Sequence, residues 1–462
     1  MNMSIPEITN IILTDSNIAH EIITSDSHES FLAAAADSQI PLQQLVRTLV
    51  IKSHGRLMML AIRASDLLDF SELTNVLGEE IALQHNYHRG VTDGDANRRT
   101  PIASMLEFDL VIDEALVNEP YVFFDSGLNW SFVKVTGSDF AKLNSKAKYS
   151  HFSCPPEQLY SVGHNDNDEE NRLLSFTPKR IHQRVEETLD LPAMPTIAQE
   201  VMRLRVDHNA GAADLAAVVE QDPSLAAQVV SWASSPYYGY QGKIDSIHTA
   251  ISRVLGFDLV LNLALGISVG KVFNVTNDGP LGIKSYWRQS VYCATLCEKL
   301  CSFIRGKTRP SRGLVYLSGL LHNFGQLILG HLFPPQFYLI NRYVEMNPHI
   351  PLADIERYLL GTTHLEVGEW LMQSWNMPQE LISAVRWHHH EEFSGNEALY
   401  SNLVLVANRL LKRIDIGDAS QLILPEPVLQ TIGIEEDDAF KALDLIVADE
   451  AELNAIAQQM VA

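Results

Sequence analysis

GLLHNFGQLIL, residues 319–329, sets a histidine and an asparagine inside an apolar helical pattern. Leu320, Leu321, Phe324, Leu327 and Ile328 recur at helical spacing, so His322 and Asn323 are flanked by core positions on both sides. A His-Asp doublet in such a place would suggest a metal-dependent hydrolase, but here the second residue is Asn. Outward from this stretch the helical period continues. Thr363-His364-Leu365-Glu366 reads as a capping box opening a helix with Leu365, Gly368, Leu371, Met372 and Trp375 inward. Pro378 begins another, with Leu381, Ile382 and Val385 inward, and it runs to Trp387-His388-His389-His390. His322, His364 and the 388–390 run therefore lie at helix ends or inward faces, and packing could gather them into one pocket. Imidazole is a common transition-metal ligand.

The period dominates from about residue 181 to the end. Pro195 precedes Ile197, Val201 and Leu204, and Asp222-Pro223 pairs an N-cap with a first-turn proline. Ile247, Ile251 and Val254 run to a stop at Gly256, and residues 435–460 read as one acidic amphipathic helix. Cys293, Cys297 and Cys301 recur every four residues, the pattern of small residues on a packed face.

The first 150 residues read differently. TLVIK and RLMMLAI (residues 48–62) flank a Ser-His-Gly turn, and YVFFD and WSFVKV (residues 121–135) repeat the hairpin pattern. DLLDFSELTNVLG between them is a helix stopped by Gly78. The acidic run SVGHNDNDEENR (residues 161–172) has the composition of a linker. The expected class is α+β and multidomain: a mixed α/β domain over 1–150, an acidic linker over 151–180, a helical domain over 181–400 and a helical extension over 401–462.

The chain has 462 residues, 34 Lys and Arg against 57 Asp and Glu, and a formal charge of −23, which makes nucleic acid and anionic membranes poor partners. Residues 1–150 carry 11 Lys and Arg against 20 Asp and Glu, a balance of −9. The first residues lack a secretory pattern, the most apolar run (from Leu259) is too short to span a bilayer, and four cysteines make no disulfide framework. A cytoplasmic location is expected.

LPAMPTIAQEVMRL, DPSLAAQVVSWASSPYYG, IHTAISRVLG, YWRQS, GLLHNFG and the segment from Thr363 to His390 together resemble the HD superfamily, and its HDOD branch more closely, over roughly residues 185–390. The resemblance implies an all-helical domain used in bacterial signalling. Its catalytic members carry a His where Gln289 stands, an Asp where Asn323 stands, and a downstream Asp that aligns with Asn408. A two-metal phosphohydrolase needs carboxylates to neutralise and bridge its cations, and amides supply none of that charge. The residual pocket is expected to comprise Gln289, His322, Asn323, His364, His388, His389 and Asn408, with no metal or other cofactor; if a single divalent ion binds, His322, His364 and His388 are its expected ligands.

QLVRTLVIKSHGRLMMLAIRASDLLDFSELTNVLG, DLVIDEAL and VFFDSGLNWSFVKVTGSDFAKL resemble the YbaK/prolyl-tRNA-editing family over roughly residues 15–145. Arg47 stands at that family's Lys position, and Gly94 and Pro101 belong to its loop, so the editing-like pocket is Arg47, Gly94 and Pro101. Arg is a planar fork that does not readily carry protons, so binding suits this pocket better than aminoacyl-tRNA deacylation. The expected function is therefore a non-catalytic signalling regulator that binds proteins such as sensor kinases or cyclic-nucleotide enzymes. The alternatives are a mononuclear phosphohydrolase and an aminoacyl-tRNA deacylase.

Overall fold

A computed structural model describes residues 6–25, 31–78, 81–83, 100–128, 131–155, 193–234, 240, 242–277, 279–305, 310–347 and 350–461. The chain divides into two compact units: Met1–Asn167 with Met346–Ile350, and Asp168–Glu345 with Pro351–Ala462. The class is α+β and multidomain.

In the first unit the strands are β1 (Glu21–Thr24), β2 (Val46–Ser53), β3 (Arg56–Arg63), β4 (Leu67–Leu68), β5 (Ile81–Leu83), β6 (Asp109–Asp113), β7 (Val122–Asp125), β8 (Ser131–Val135), β9 (Lys148–Ser150) and β10 (Ser153–Cys154). Its helices are α1 (Glu7–Asp15), α2 (Phe31–Asp37), α3 (Phe70–Leu77), α4 (Glu114–Val117) and α5 (Gly137–Leu143). The main sheet runs β5-β2-β3-β6-β9, and a smaller one runs β1-β8-β7. The two hairpins read from the sequence form. β2 pairs antiparallel with β3 up to Ser53 opposite Arg56, closing on His54 and Gly55, both at positive φ. β7 pairs antiparallel with β8. Gly78, at φ +92°, ends α3.

Alternation along β2 and β3 splits the core. Val46, Val50, Met59 and Ala61 face α1 and α5, while Leu49, Ile51, Leu60 and Ile62 join Leu73 and Met346 on the opposite face. β10 pairs with β4, so the α/β unit continues past residue 150 into the expected linker. The rest of that linker, residues 156–180, lies outside the described residues.

The second unit comprises α6 (Thr196–Val206), α7 (Ala212–Val219), α8 (Pro223–Ala233), α9 (Ile247–Ala250), α10 (Phe257–Gly270), α11 (Ile283–Phe303), α12 (Arg312–Leu321), α13 (Phe324–Leu332), α14 (Pro334–Met346), α15 (Leu352–Leu360), α16 (His364–Ser374), α17 (Gln379–Trp387), α18 (Ala398–Lys412), α19 (Glu426–Ile432), α20 (Glu436–Ala448) and α21 (Glu450–Val461). A π-helical turn over Ile251–Leu255 follows α9 and ends at Gly256, φ +85°. The expected boundary at 400 falls within α18, which packs on α11, α12 and α17 as part of the helical core. The single acidic helix expected at the end is two, broken at Asp449, and the second lays Leu453, Ile456, Ala457 and Met460 inward.

The 21-residue α11 is the spine, packed by α12, α18, α20 and α21. Its Cys293, Cys297 and Cys301 are buried free thiols on the packed face. Burial pushes the Cys301 thiol up to about 12, so it stays a small apolar group. Two glycines permit the closest approaches. A Cβ on Gly319 would strike the backbone of Ala294 in α11, and one on Gly325 would strike the His364 carbonyl at the start of α16. Among the described residues no helix is long and apolar enough to cross a membrane.

Gly325→Ala must separate α13 from α16, and by overpacking it should cost about 1–3 kcal/mol in urea unfolding. Asp222 caps α8 through the Ser224 and Leu225 amides. Burial raises its pKa, but the bonds from Lys271, Ser224 and Leu225 outweigh this and bring it down to about 2. Its contribution is thus present above the unfolded carboxylate's pKa near 4 and disappears as pH falls through about 2. Asp222→Ala should cost about 1 kcal/mol at neutral pH and much less at pH 2, measured by unfolding across that range.

Candidate metal centre

Three helix termini place the histidines. His322 caps the C-terminus of α12, His364 is the first residue of α16, and His388 caps the C-terminus of α17 with His389 next. The capping box at Thr363 and Glu366 forms as read from the sequence and sets the start of α16. His322, His364 and His388 are fully buried. Their rings cluster: His322 to His388 5.0 Å between centroids, His364 to His388 5.7 Å, His364 to His389 5.7 Å, His388 to His389 4.2 Å.

Hydrogen bonds fix the tautomers. His322 Nδ1 lies 2.7 Å from the Gly319 carbonyl, and His388 Nδ1 lies 3.0 Å from the Ala384 and Val385 carbonyls. His364 Nδ1 lies 2.6 Å from Glu356 Oε2, and Glu356 also accepts the His364 amide at 2.8 Å. Carbonyls and a carboxylate only accept, so each Nδ1 carries a proton and, in the neutral ring, each Nε2 presents its lone pair. His322 Nε2 meets the Gln289 amide nitrogen at 3.3 Å. The Nε2 atoms of His364 and His388 are buried without a hydrogen-bond partner in the protein.

Facing these rings is Asp418, in the loop after α18. Its Oδ1 accepts from Gln289 Nε2 at 2.7 Å; its Oδ2 accepts from Asn323 Nδ2 at 3.1 Å and Gln326 Nε2 at 3.3 Å, and lies 3.3 Å from His389 Nε2. Burial raises the Asp418 pKa, but His389, His364 and His322 outweigh this and hold it well below the usual carboxylate range. Burial lowers His364, and Glu356 more than restores it, so its pKa is raised. His388 is driven well down by burial and by His389, His322 and His364.

The structure therefore corrects the sequence expectation at two points and adds a third feature. The pocket does contain a carboxylate, Asp418, ten residues beyond Asn408. Asn408 instead lines a cavity of about 170 Å³ beside His388, His389, Arg409 and Asp418, with both amide atoms unpartnered in the protein. The ligand-bearing atoms that come within 4.8 Å of one another belong to His364, His388, His389 and Asp418, not to the expected trio with His322, whose Nε2 is taken by Gln289. And an outer carboxylate that orients a ring is present in Glu356. Its burial was legible: Glu356 lies on the inward stripe of Leu352, Ile355 and Leu359. Asp418 gave no such signal, since it stands in an irregular loop after Gly417.

In the α/β unit, Arg47 is buried, on the same sheet face as Leu49 and Ile51. Its guanidinium donates to the Met346 carbonyl at 2.7 Å and to Asn347 Oδ1 at 3.0 Å, and the same Asn347 oxygen accepts the Leu68 amide at 2.8 Å. Burial lowers its pKa to about 9 against the opposing charge of Asp66. Arg47 thus acts as an internal tie. Pro101 is buried, and Gly94 lies outside the described residues.

The HDOD domain family model matches residues 191–391. The chain carries an HDOD domain over those residues. The match takes in Gln289, His322, Asn323, His364, His388 and His389 and ends before Asn408 and Asp418. A crystal structure described as "Putative signal transduction protein" from Marinobacter aquaeolei VT8 is 30% identical, covers 99% of this chain and 100% of its own, and has a TM-score of 0.82. An HDOD domain protein from Geobacter sulfurreducens, 22% identical over 63% of this chain and 99% of its own, shares the fold at a TM-score of 0.51. An uncharacterized protein of Treponema pallidum (strain Nichols) is 24% identical over 258 residues, 54% of this chain and 48% of the relative. The chain thus spans about half the length of that curated relative.

Asp418→Ala would leave Gln289, Asn323, Gln326 and His389 facing a vacated anion site. Removing one member of a buried charged network costs about 3–5 kcal/mol, so urea unfolding of this HDOD protein should show a loss of that order, larger than for Asn408→Ala.

Proposed function

We propose that this HDOD protein is a cytoplasmic bacterial regulator that binds other signalling proteins and does not hydrolyse phosphoesters. One observation carries the reading: the Asp418 carboxylate is already held by three amides, Gln289, Asn323 and Gln326. A pair of hydrolytic cations needs anionic oxygens to bridge them. Here the doublet position contributes an N–H donor, which opposes a cation. The HDOD match and the relative described in signal-transduction terms support a regulatory role. Sensor kinases and cyclic-nucleotide enzymes are the proposed partner classes, and the charge of −23 disfavours nucleic acid. The pinning of Arg47 fits a binding or structural role for the α/β unit better than aminoacyl-tRNA deacylation.

The test is turnover of bis(p-nitrophenyl) phosphate and cyclic dinucleotides by the untagged full chain with manganese, iron or zinc supplied. No rate above buffer is expected, and cross-linking in the native cell should join the chain to a kinase or a nucleotide-signalling enzyme. Turnover abolished by His388→Ala would overturn the proposal.

A further inference from the structure

We infer that His364, His388, His389 and Asp418 form a site for one transition-metal dication of the zinc or ferrous type. Their candidate ligand atoms lie within 4.8 Å of one another, in the helical unit alone. Within this group the Nε2 atoms of His364 and His388 are buried with no partner in the protein. An unpaired buried acceptor carries a desolvation penalty that a Lewis acid relieves directly.

The surroundings prepare these lone pairs. Glu356 holds His364 through Nδ1, and two backbone carbonyls hold His388 through Nδ1. This is the outer arrangement that fixes the tautomer and ring direction of a metal-binding histidine. His389 Nε2 and Asp418 Oδ2 stand 3.3 Å apart, the separation of two ligands sharing a tetrahedral ion at bond lengths of about 2.0–2.1 Å. The widest pair must close by about 1.5 Å to reach the same spacing.

Donor chemistry selects the ion. Three imidazoles and one carboxylate suit zinc and iron, whereas magnesium and calcium call for shells of oxygen. The amides select the number. Gln289 occupies Asp418 Oδ1, while Asn323 and Gln326 point N–H groups at Oδ2, so no anionic oxygen remains there for a second cation. A cavity of about 170 Å³ lined by His388, His389, Asn408 and Asp418 adjoins the cluster.

The inference goes beyond the regulatory reading and does not depend on it. Untagged full-length protein, stripped with chelator and refilled, is assayed for metal by mass spectrometry, for zinc affinity against a competing chelator, and for cobalt(II) binding by visible absorption. The expected result is about one ion per chain and a rise in melting temperature with zinc. His388→Ala and Asp418→Asn should each abolish stoichiometric binding. Glu356→Gln should retain the ion with about 10- to 100-fold weaker affinity. His390→Ala, in the neighbouring half-exposed ring, should change nothing. Folding of each variant is checked by circular dichroism. Folded wild-type protein that takes up no zinc, or that keeps its ion in a folded His388→Ala/Asp418→Asn double variant, or loses it with His390→Ala, overturns the inference. Phosphoester turnover by the one-ion protein would overturn the regulatory proposal and leave the metal site standing.

Discussion

The helical unit is organised around one buried anion. Asp418 lies among four imidazoles and three side-chain amides drawn from α11, the α12–α13 junction, α13, α16 and the end of α17. The packing of these elements must bring each donor to the carboxylate for it to be satisfied. An anion out of water is tolerated only when donors converge on it. The caps and glycines of this unit can be understood from that requirement: the Thr363 capping box sets where His364 begins α16, and Gly325 lets α13 reach the His364 carbonyl.

The same network separates charge from catalysis. A carboxylate at the doublet would join Asp418 as a second anion and invite two cations. Asn323 instead turns a donor toward Asp418, as do Gln289 and Gln326. The pocket keeps the nitrogen ligands of a metal-binding fold while its oxygen chemistry is spent internally. Glu356 completes the pattern at His364, where it accepts from the amide and holds the ring through Nδ1.

The α/β unit applies a comparable device with the opposite sign. Arg47, a cation under the sheet, is met by the Met346 carbonyl and by Asn347, with Asp66 nearby. Arg is suited to this because its fork bonds two acceptors at once and keeps its charge when buried. A lysine in the same place would shed its proton more readily, which separates a structural cation from a catalytic one.

Much of this was legible along the chain. The hairpins at 46–63 and 122–135, the stop at Gly78, the cap at Asp222 and the box at Thr363 are local, and their residue types carry their own conformational cause. The histidines announced themselves by standing at helix ends on apolar faces. Other features had no local cause. Asp418 sits in an irregular loop, 29 residues past His389 in the chain and 3.3 Å from it in space. The pairing of Gln289 with His322, which removes that ring from the candidate ligands, joins positions 33 apart. The sequence by itself determined the periods, caps and turns, because those depend on neighbours within a few residues. Only the tertiary structure decided which polar groups share the pocket, because a buried charge is paired by whatever donors packing brings to it, at any distance along the chain.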